Sequence, residues 1–166
     1  MKLSILIPVF NESQSIAAVV ERVQAVPFDK EIIVVNDAST DGTSDLINKF
    51  ASDGLKVIHH VTNQGKGAAV RTALKAATGD VIVIHDADFE YDPGDLPRLM
   101  ASITEGKAAV VYGVRSLESQ KLIMRLGNWF ITFVTNVLYG QSLNDVETCY
   151  TDLLQLPKNS FAITYR

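Results

Sequence analysis

The amino-acid sequence predicts an α/β domain built on a mostly parallel sheet, and three observations predict it. Short apolar runs rich in β-branched residues recur along the chain, as in Ile32-Ile33-Val34-Val35 and Val81-Ile82-Val83-Ile84. Between them lie segments with apolar residues at helical spacing, and the connections are short, which is the pattern of parallel βαβ units with right-handed crossovers. The composition, 47% hydrophobic and 20% charged over 166 residues, suits one globular domain with a sizeable core.

The elements follow in order. Leu3 to Val9 is a buried strand containing Pro8. Asn11-Glu12-Ser13 supplies capping residues for a helix from about Ser15 to Gln24, with Ile16, Val19, Val20 and Val23 on one face. Glu31 to Val35 is the second strand, followed by the polar loop Asn36-Asp37-Ala38-Ser39-Thr40-Asp41-Gly42-Thr43 and a helix near Ser44 to Ser52. Leu55 to Val61 is the third strand. Asn63-Gln64-Gly65-Lys66-Gly67 is a glycine loop leading into a helix from about Ala68 to Ala77. Val81 to Ile84 is the fourth strand, Asp92-Pro93-Gly94-Asp95 opens a helix to about Thr104, and Ala108 to Val111 is a fifth strand.

In a parallel sheet the strand C-termini share one edge, where open α/β folds bind their ligands. Glu12, Asp37, Asp41, Asp86 and Asp88 all follow strands, so folding gathers them there. Acids beside a core are costly unless something pairs with them. Asp86-Ala87-Asp88 therefore suggests a divalent cation site, since Mg²⁺ or Mn²⁺ takes oxygen ligands from one or two carboxylates plus substrate phosphates. Taken alone, the same two acids would equally suit a solvated turn.

The net charge of −4 argues against a nucleic-acid binder, which would need a basic face. Cys149 is the single cysteine, so neither an internal disulfide nor a cysteine zinc cluster can form; this fits a reducing, cytoplasmic setting. Asn11-Glu12 breaks the first apolar run, which reads as a strand rather than a signal peptide. The segment from Lys121 to Leu143 is dense in Leu, Ile, Trp, Phe and Val, with Arg125, Asn128 and Asn136 interrupting it. That is too polar for a membrane span, and it suits either core packing or contact with a membrane surface or lipid chain, about 121–140.

The bland alternatives are specific. The glycine loop is not a Walker A motif, because Gly67 rather than Ser or Thr follows Lys66, and it lacks the dinucleotide spacing. His59-His60 reads as a strand end. His85 alternates away from the Asp86 side and is left out of the site. Cys149 reads as a small buried side chain.

Five motifs in order carry a resemblance: Pro8-Val9-Phe10-Asn11-Glu12, the loop from Val35 to Thr43, Asn63 to Gly67, Asp86-Ala87-Asp88, and Tyr112-Gly113-Val114-Arg115. With Leu126-Gly127-Asn128 and Asp145 to Tyr150 they resemble family 2 glycosyltransferases of the dolichol-phosphate mannosyltransferase and polyprenyl-phosphate glycosyltransferase branch, over about residues 3 to 150. The resemblance implies a GT-A fold: a Rossmann-like three-layer α/β/α domain, with a donor part at about 1–116 and an acceptor side at about 117–166. It implies inverting transfer of a hexose from a UDP-glucose or GDP-mannose type donor to a polyprenyl phosphate, at the cytoplasmic face of a membrane.

Carried over by position, Pro8, Phe10, Glu12, Val35 and Asp37 hold base and ribose, with Lys66, Ala87 and Arg115 also on the donor. Asp86 and Asp88 hold Mg²⁺ or Mn²⁺, with Glu90 as a third metal-side ligand. Asp88 and Arg115 serve catalysis. Asp145 orients a phosphate acceptor, acts as base if the acceptor is a polysaccharide hydroxyl, or is a structural turn acid. Two positions depart from the family: Asn36, where Asp is frequent, and Ala38, where Gly is frequent. After Tyr150 the basic and aromatic continuation of relatives is missing, so a truncated member or a nucleotide-binding remnant without transfer activity is a further expectation.

Overall fold

The computed structural model describes residues 1–51, 54–89, 91–108, 110–111, 129–135, 137 and 153–155. Six strands are present among them: β1 (Leu3–Val9), β2 (Lys30–Asn36), β3 (Leu55–His59), β4 (Val81–Ile84), β5 (Val110–Val111) and β6 (Leu153–Gln155). The helices between them are α1 (Ile16–Ala25), α2 (Thr43–Asn48), α3 (Lys66–Ala76) and α4 (Leu96–Thr104), the last preceded by a 3₁₀ turn at Pro93–Asp95. Residues 129–135 are also helical.

The sheet order is β3-β2-β1-β4-β6-β5. β1 pairs parallel with β2 and β4, and β2 with β3, as the βαβ spacing predicts. The far end differs from expectation: β6 inserts antiparallel between β4 and β5, so the fifth strand does not pair with the fourth. β3 also stops at His59, and Val61 is fully exposed.

Strand alternation builds two cores. Leu3, Ile5, Ile7 and Val9 of β1 face one way, with Ile32, Val34, Val81 and Val83; α1 covers them through Ile16, Val19, Val20 and Val23, α2 through Ile47, and α4 through Leu96, Met100 and Ile103. Leu6, Ile33, Val35 and Ile82 face the other way and pack on Ala69 and Ala73 of α3. The result is three layers. Small residues on α3 let it lie close to the sheet.

Of the residues between 121 and 140, the described helical stretch does not join either core. Trp129, Phe130, Phe133 and Val137 are exposed, and Trp129 stacks on Phe133 with ring centroids 5.6 Å apart. Among the described residues, no helix is long and apolar enough to cross a membrane.

The edge of the sheet opposite the strand C-termini is held by Glu31. Its carboxylate accepts hydrogen bonds from the Ser4 hydroxyl, the Thr78 and Gly79 amides, the Thr78 hydroxyl (2.9 Å) and the Lys2 ammonium (3.2 Å). Gly79 is required there, because a Cβ would lie 2.8 Å from the Lys2 carbonyl oxygen and the Ser4 nitrogen. Burial raises the Glu31 pKa, but the bonds from Ser4, Thr78 and Lys2 outweigh it and bring it down to about 2. The unfolded chain titrates near the ordinary 4.5, so this stabilisation is complete above that pH and is lost as pH falls toward 2. Glu31→Gln is expected to cost about 1–3 kcal/mol at neutral pH, the usual worth of hydrogen bonds to a charged group. Urea unfolding across pH should show the variant's deficit shrinking on acidification.

Candidate functional site

The register aligns the strand ends. Val9 pairs with Asn36, and Asn36 with His59, so the chain leaves β1, β2 and β3 abreast. Leu6 pairs with Ile84, which brings the segment after β4 to the same edge. Two of the emerging loops are sewn together. Asn11 accepts from the Thr40 amide (2.8 Å) and its own amide donates to the Ser39 hydroxyl (2.9 Å). Asp41 accepts from the Ser13 amide (3.0 Å) and the Thr43 hydroxyl (2.6 Å), and these bonds hold it well below the usual carboxylate range. Glu12 donates through its amide to Thr43 (3.0 Å), and its carboxylate accepts from the Ser15 hydroxyl (2.7 Å).

A cleft of about 500 Å³ opens above this edge, lined by Pro8, Phe10, Glu12, Asp37, Lys66, Asp86, Ala87 and Asp88 together with Val9, Asn63, Gly65 and Ala69. Of the five acids expected at this edge, Glu12, Asp37, Asp86 and Asp88 line one cavity, and Asp41 is not among its lining residues. Asp37 is its most constrained member, with a side chain 3% exposed. The carboxylate accepts from the Gly65 amide (2.7 Å), the Gln64 amide (3.0 and 3.1 Å) and the His60 ring (2.6 Å). Burial alone would push its pKa up; the bonds from Gln64, His60 and Gly65 prevail and lower it. The glycine loop thus spends the amides of residues 64 and 65 on Asp37. Gly65 does so at φ +87°, a backbone a side chain would strain.

Across the cleft, the Lys66 ammonium lies 2.6 and 2.8 Å from the two Asp86 carboxylate oxygens. Asp86 therefore holds a cation through both oxygens. Among the described residues no group of three His, Cys, Asp or Glu side chains converges to hold a metal, and Glu90, Arg115 and Asp145 lie outside the described residues. Val35 is fully buried in the core on α3 and adds no surface to the cleft. His85 is buried outside the cleft, its Nδ1–H donating to the Asp86 carbonyl oxygen at 2.6 Å, and burial lowers its pKa.

Two supporting residues escape a reading by residue type. Asn36 is buried, donates to the Ser44 hydroxyl (2.6 Å) and the His59 Nδ1 (3.2 Å), and accepts from the Ser39 amide (3.0 Å). An aspartate there could not make those two donations. His60 supports Asp37 from beside it; the parallel register that sets residue 60 beside residue 37 is the signal that could have found it.

A mostly parallel sheet layered between helices is the GT-A arrangement, and solved glycosyltransferases share the fold. S. aureus TarS 1-349 in complex with UDP-GlcNAc superimposes with a TM-score of 0.62 at 27% identity, covering 73% of this chain and 39% of that one. The mannosyltransferase PcManGT from Pyrobaculum calidifontis, in complex with GDP-Man and Mn²⁺, gives 0.63 at 26% identity, covering 70% and 36%.

Residues 4–154 match the profile of Glycosyl transferase family 2, and the chain belongs to that family. Similar proteins include the undecaprenyl-phosphate 4-deoxy-4-formamido-L-arabinose transferase of Pectobacterium carotovorum, 33% identical over 149 residues. Another is the dodecaprenyl-phosphate galacturonate synthase of Rhizobium johnstonii, 29% identical over 153 residues. The matches cover 86% and 87% of this chain and 45% of each relative, so the chain spans just under half their length.

The departure at Ala38 has a measurable consequence. Its φ is +61°, in the left-handed region that glycine enters freely and other residues enter at a cost. Ala38→Gly is expected to raise stability by about 0.5–1 kcal/mol, the strain relieved less the extra chain entropy of glycine. Gly65→Ala should do the reverse, costing about 1–3 kcal/mol. Thermal unfolding of the two variants beside the wild type checks both signs.

Proposed function

We propose that this chain forms the donor-binding part of a glycosyltransferase that moves a hexose from a nucleotide-diphosphate sugar to a polyprenyl phosphate, with inversion. The observation that carries the reading is the single cleft joining Asp37, Lys66, Asp86 and Asp88 at the strand C-termini. The names of the relatives support the lipid phosphate acceptor, and the ligands of the two structural neighbours support a nucleotide-sugar donor.

In this reading Pro8, Phe10, Glu12 and Asp37 receive the base and ribose, Phe10 with nearly half its surface exposed for stacking. Val35 acts only as packing beneath them. Asp86 and Asp88, with Glu90, hold Mg²⁺ or Mn²⁺. Asp86 supports this, a hard oxygen donor that here engages the Lys66 ammonium. When bound, the metal neutralises charge that builds on the departing diphosphate. Lys66 and Arg115 do the same from the protein.

The acceptor phosphate is already an anion, so its oxygen attacks the anomeric carbon without a strong base. The new carbon–oxygen bond forms as the bond to the nucleoside diphosphate breaks, and the leaving group departs with that electron pair. Asp145 orients the acceptor. The exposed Trp129, Phe130 and Phe133 support contact with the lipid or the membrane surface that carries it.

UDP or GDP with Mn²⁺ is expected to raise the thermal midpoint of the wild type, and Asp88→Ala to abolish that rise. Stabilisation by nucleotide that is indifferent to metal would remove the Asp86–Asp88 assignment. In the whole protein, Arg115→Ala should raise the barrier to transfer by on the order of 2–4 kcal/mol, seen as reduced radiolabel in the lipid phase.

A further inference from the structure

We propose that His60 is a positioning residue of the donor pocket, acting through Asp37; the inference rests on the cleft being a nucleotide site. His60 does not line the cleft, yet its ring is buried, 8% exposed, between two groups from different elements. Nδ1 lies 2.6 Å from Asp37 Oδ1, and Nε2 lies 2.9 Å from the Thr72 hydroxyl on α3. A carboxylate only accepts, so Nδ1 carries the proton. In the neutral ring Nε2 must then accept, and the Thr72 hydroxyl donates to it. The chain Thr72 to His60 to Asp37 is directed at every link and ends on a carboxylate that faces the cleft.

Its effect is geometric. The amides of Gln64 and Gly65 approach Asp37 from the glycine loop, while His60 approaches Oδ1 from the end of β3. A carboxylate gripped from two elements has its plane fixed about the last side-chain bond. Without the ring, that plane can turn and water can enter beside it. The lone pairs that Asp37 presents to a base or ribose donor would then lose their direction, and so would Asn63, which the same loop carries into the cleft. Asp37 selects the tautomer, and Thr72, donating to Nε2, ties α3 to the pocket floor.

Three variants separate positioning from bulk support, because Asn places an amide nitrogen near the His Nδ1 position. His60→Leu removes both polar atoms, His60→Asn keeps a donor toward Asp37, and Thr72→Val removes only the hydroxyl that holds Nε2. The measurements are the Kd for UDP and GDP with Mn²⁺ by calorimetry, and the thermal midpoint without nucleotide. Binding is expected to weaken tenfold or more in His60→Leu, by less than threefold in His60→Asn, and by an intermediate factor in Thr72→Val.

Equal affinity in His60→Leu and wild type would overturn the role of His60 alone. So would a His60→Asn protein as weak in binding as His60→Leu, since retained donation would then count for nothing. If His60→Leu does not fold, Thr72→Val binding as tightly as wild type, or His60→Asn weakened tenfold or more, overturns the role. A wild type that binds neither nucleotide overturns the donor pocket itself, and this inference with it.

Discussion

A buried negative charge at the end of β2 sets the conditions for everything around it. Asp37 has almost no contact with solvent, and an ionised carboxylate in that position costs several kcal/mol unless it is answered. The chain answers it with two backbone amides and an imidazole. Each demands something of the sequence. The amides of residues 64 and 65 turn inward only if the backbone enters a region that glycine alone adopts without strain, hence Gly65. The imidazole must leave β3 level with Asp37, hence the register of Asn36 with His59. Charge burial, loop shape and strand alignment are one problem here with one solution.

The cleft also needs an opening, and the layering provides it. α1, which follows β1, packs on one face of the sheet, whereas α3, which leads into β4, packs on the other. Chain leaves β2 for α2 on the face of α1 but leaves the neighbouring β3 for α3 on the other face, and a crevice opens at the C-terminal ends where the two part. Pro8, Phe10 and Asp86 line it because β1 and β4 are adjacent in space despite the long stretch of chain between them. The rigid floor comes from β1, whose seven residues are all buried, paired with β2 throughout and with β4 from Leu3 to Leu6.

Much of this was legible in the residues, for identifiable reasons. Runs such as Ile32 to Val35 and Val81 to Ile84 have one stable fate, and the acids that follow them share an edge once the sheet is parallel. The parts that escaped are those where meaning depends on a partner distant in the chain. Leu153 to Gln155 is too short to announce a strand, and it becomes one only because β4 and β5 offer it edges. His60 reads as a strand end until residue 37 is placed beside it. Val35 sits within a motif yet packs on α3, since alternation sends its side chain to the face that α3 covers. Asn36 looks like a weakened aspartate, whereas its amide makes donations that a carboxylate cannot.

The charge balance of the cleft gives the last constraint on what it can hold. Glu12, Asp37, Asp86 and Asp88 contribute carboxylates, and Lys66 is the one cation among the described lining residues. A diphosphate entering such a cavity meets repulsion, which low local dielectric strengthens. Asp37 is already answered from within, and Lys66 is held by Asp86. On the proposed reading Lys66 exchanges its hold on Asp86 for the diphosphate. In that same reading Asp86 and Asp88 would hold a divalent ion, which would supply positive charge toward the diphosphate, with Lys66 as a second positive charge on the leaving group. The acidity that would exclude a bare nucleotide therefore becomes, on the proposed reading, the reason that metal and nucleotide bind together.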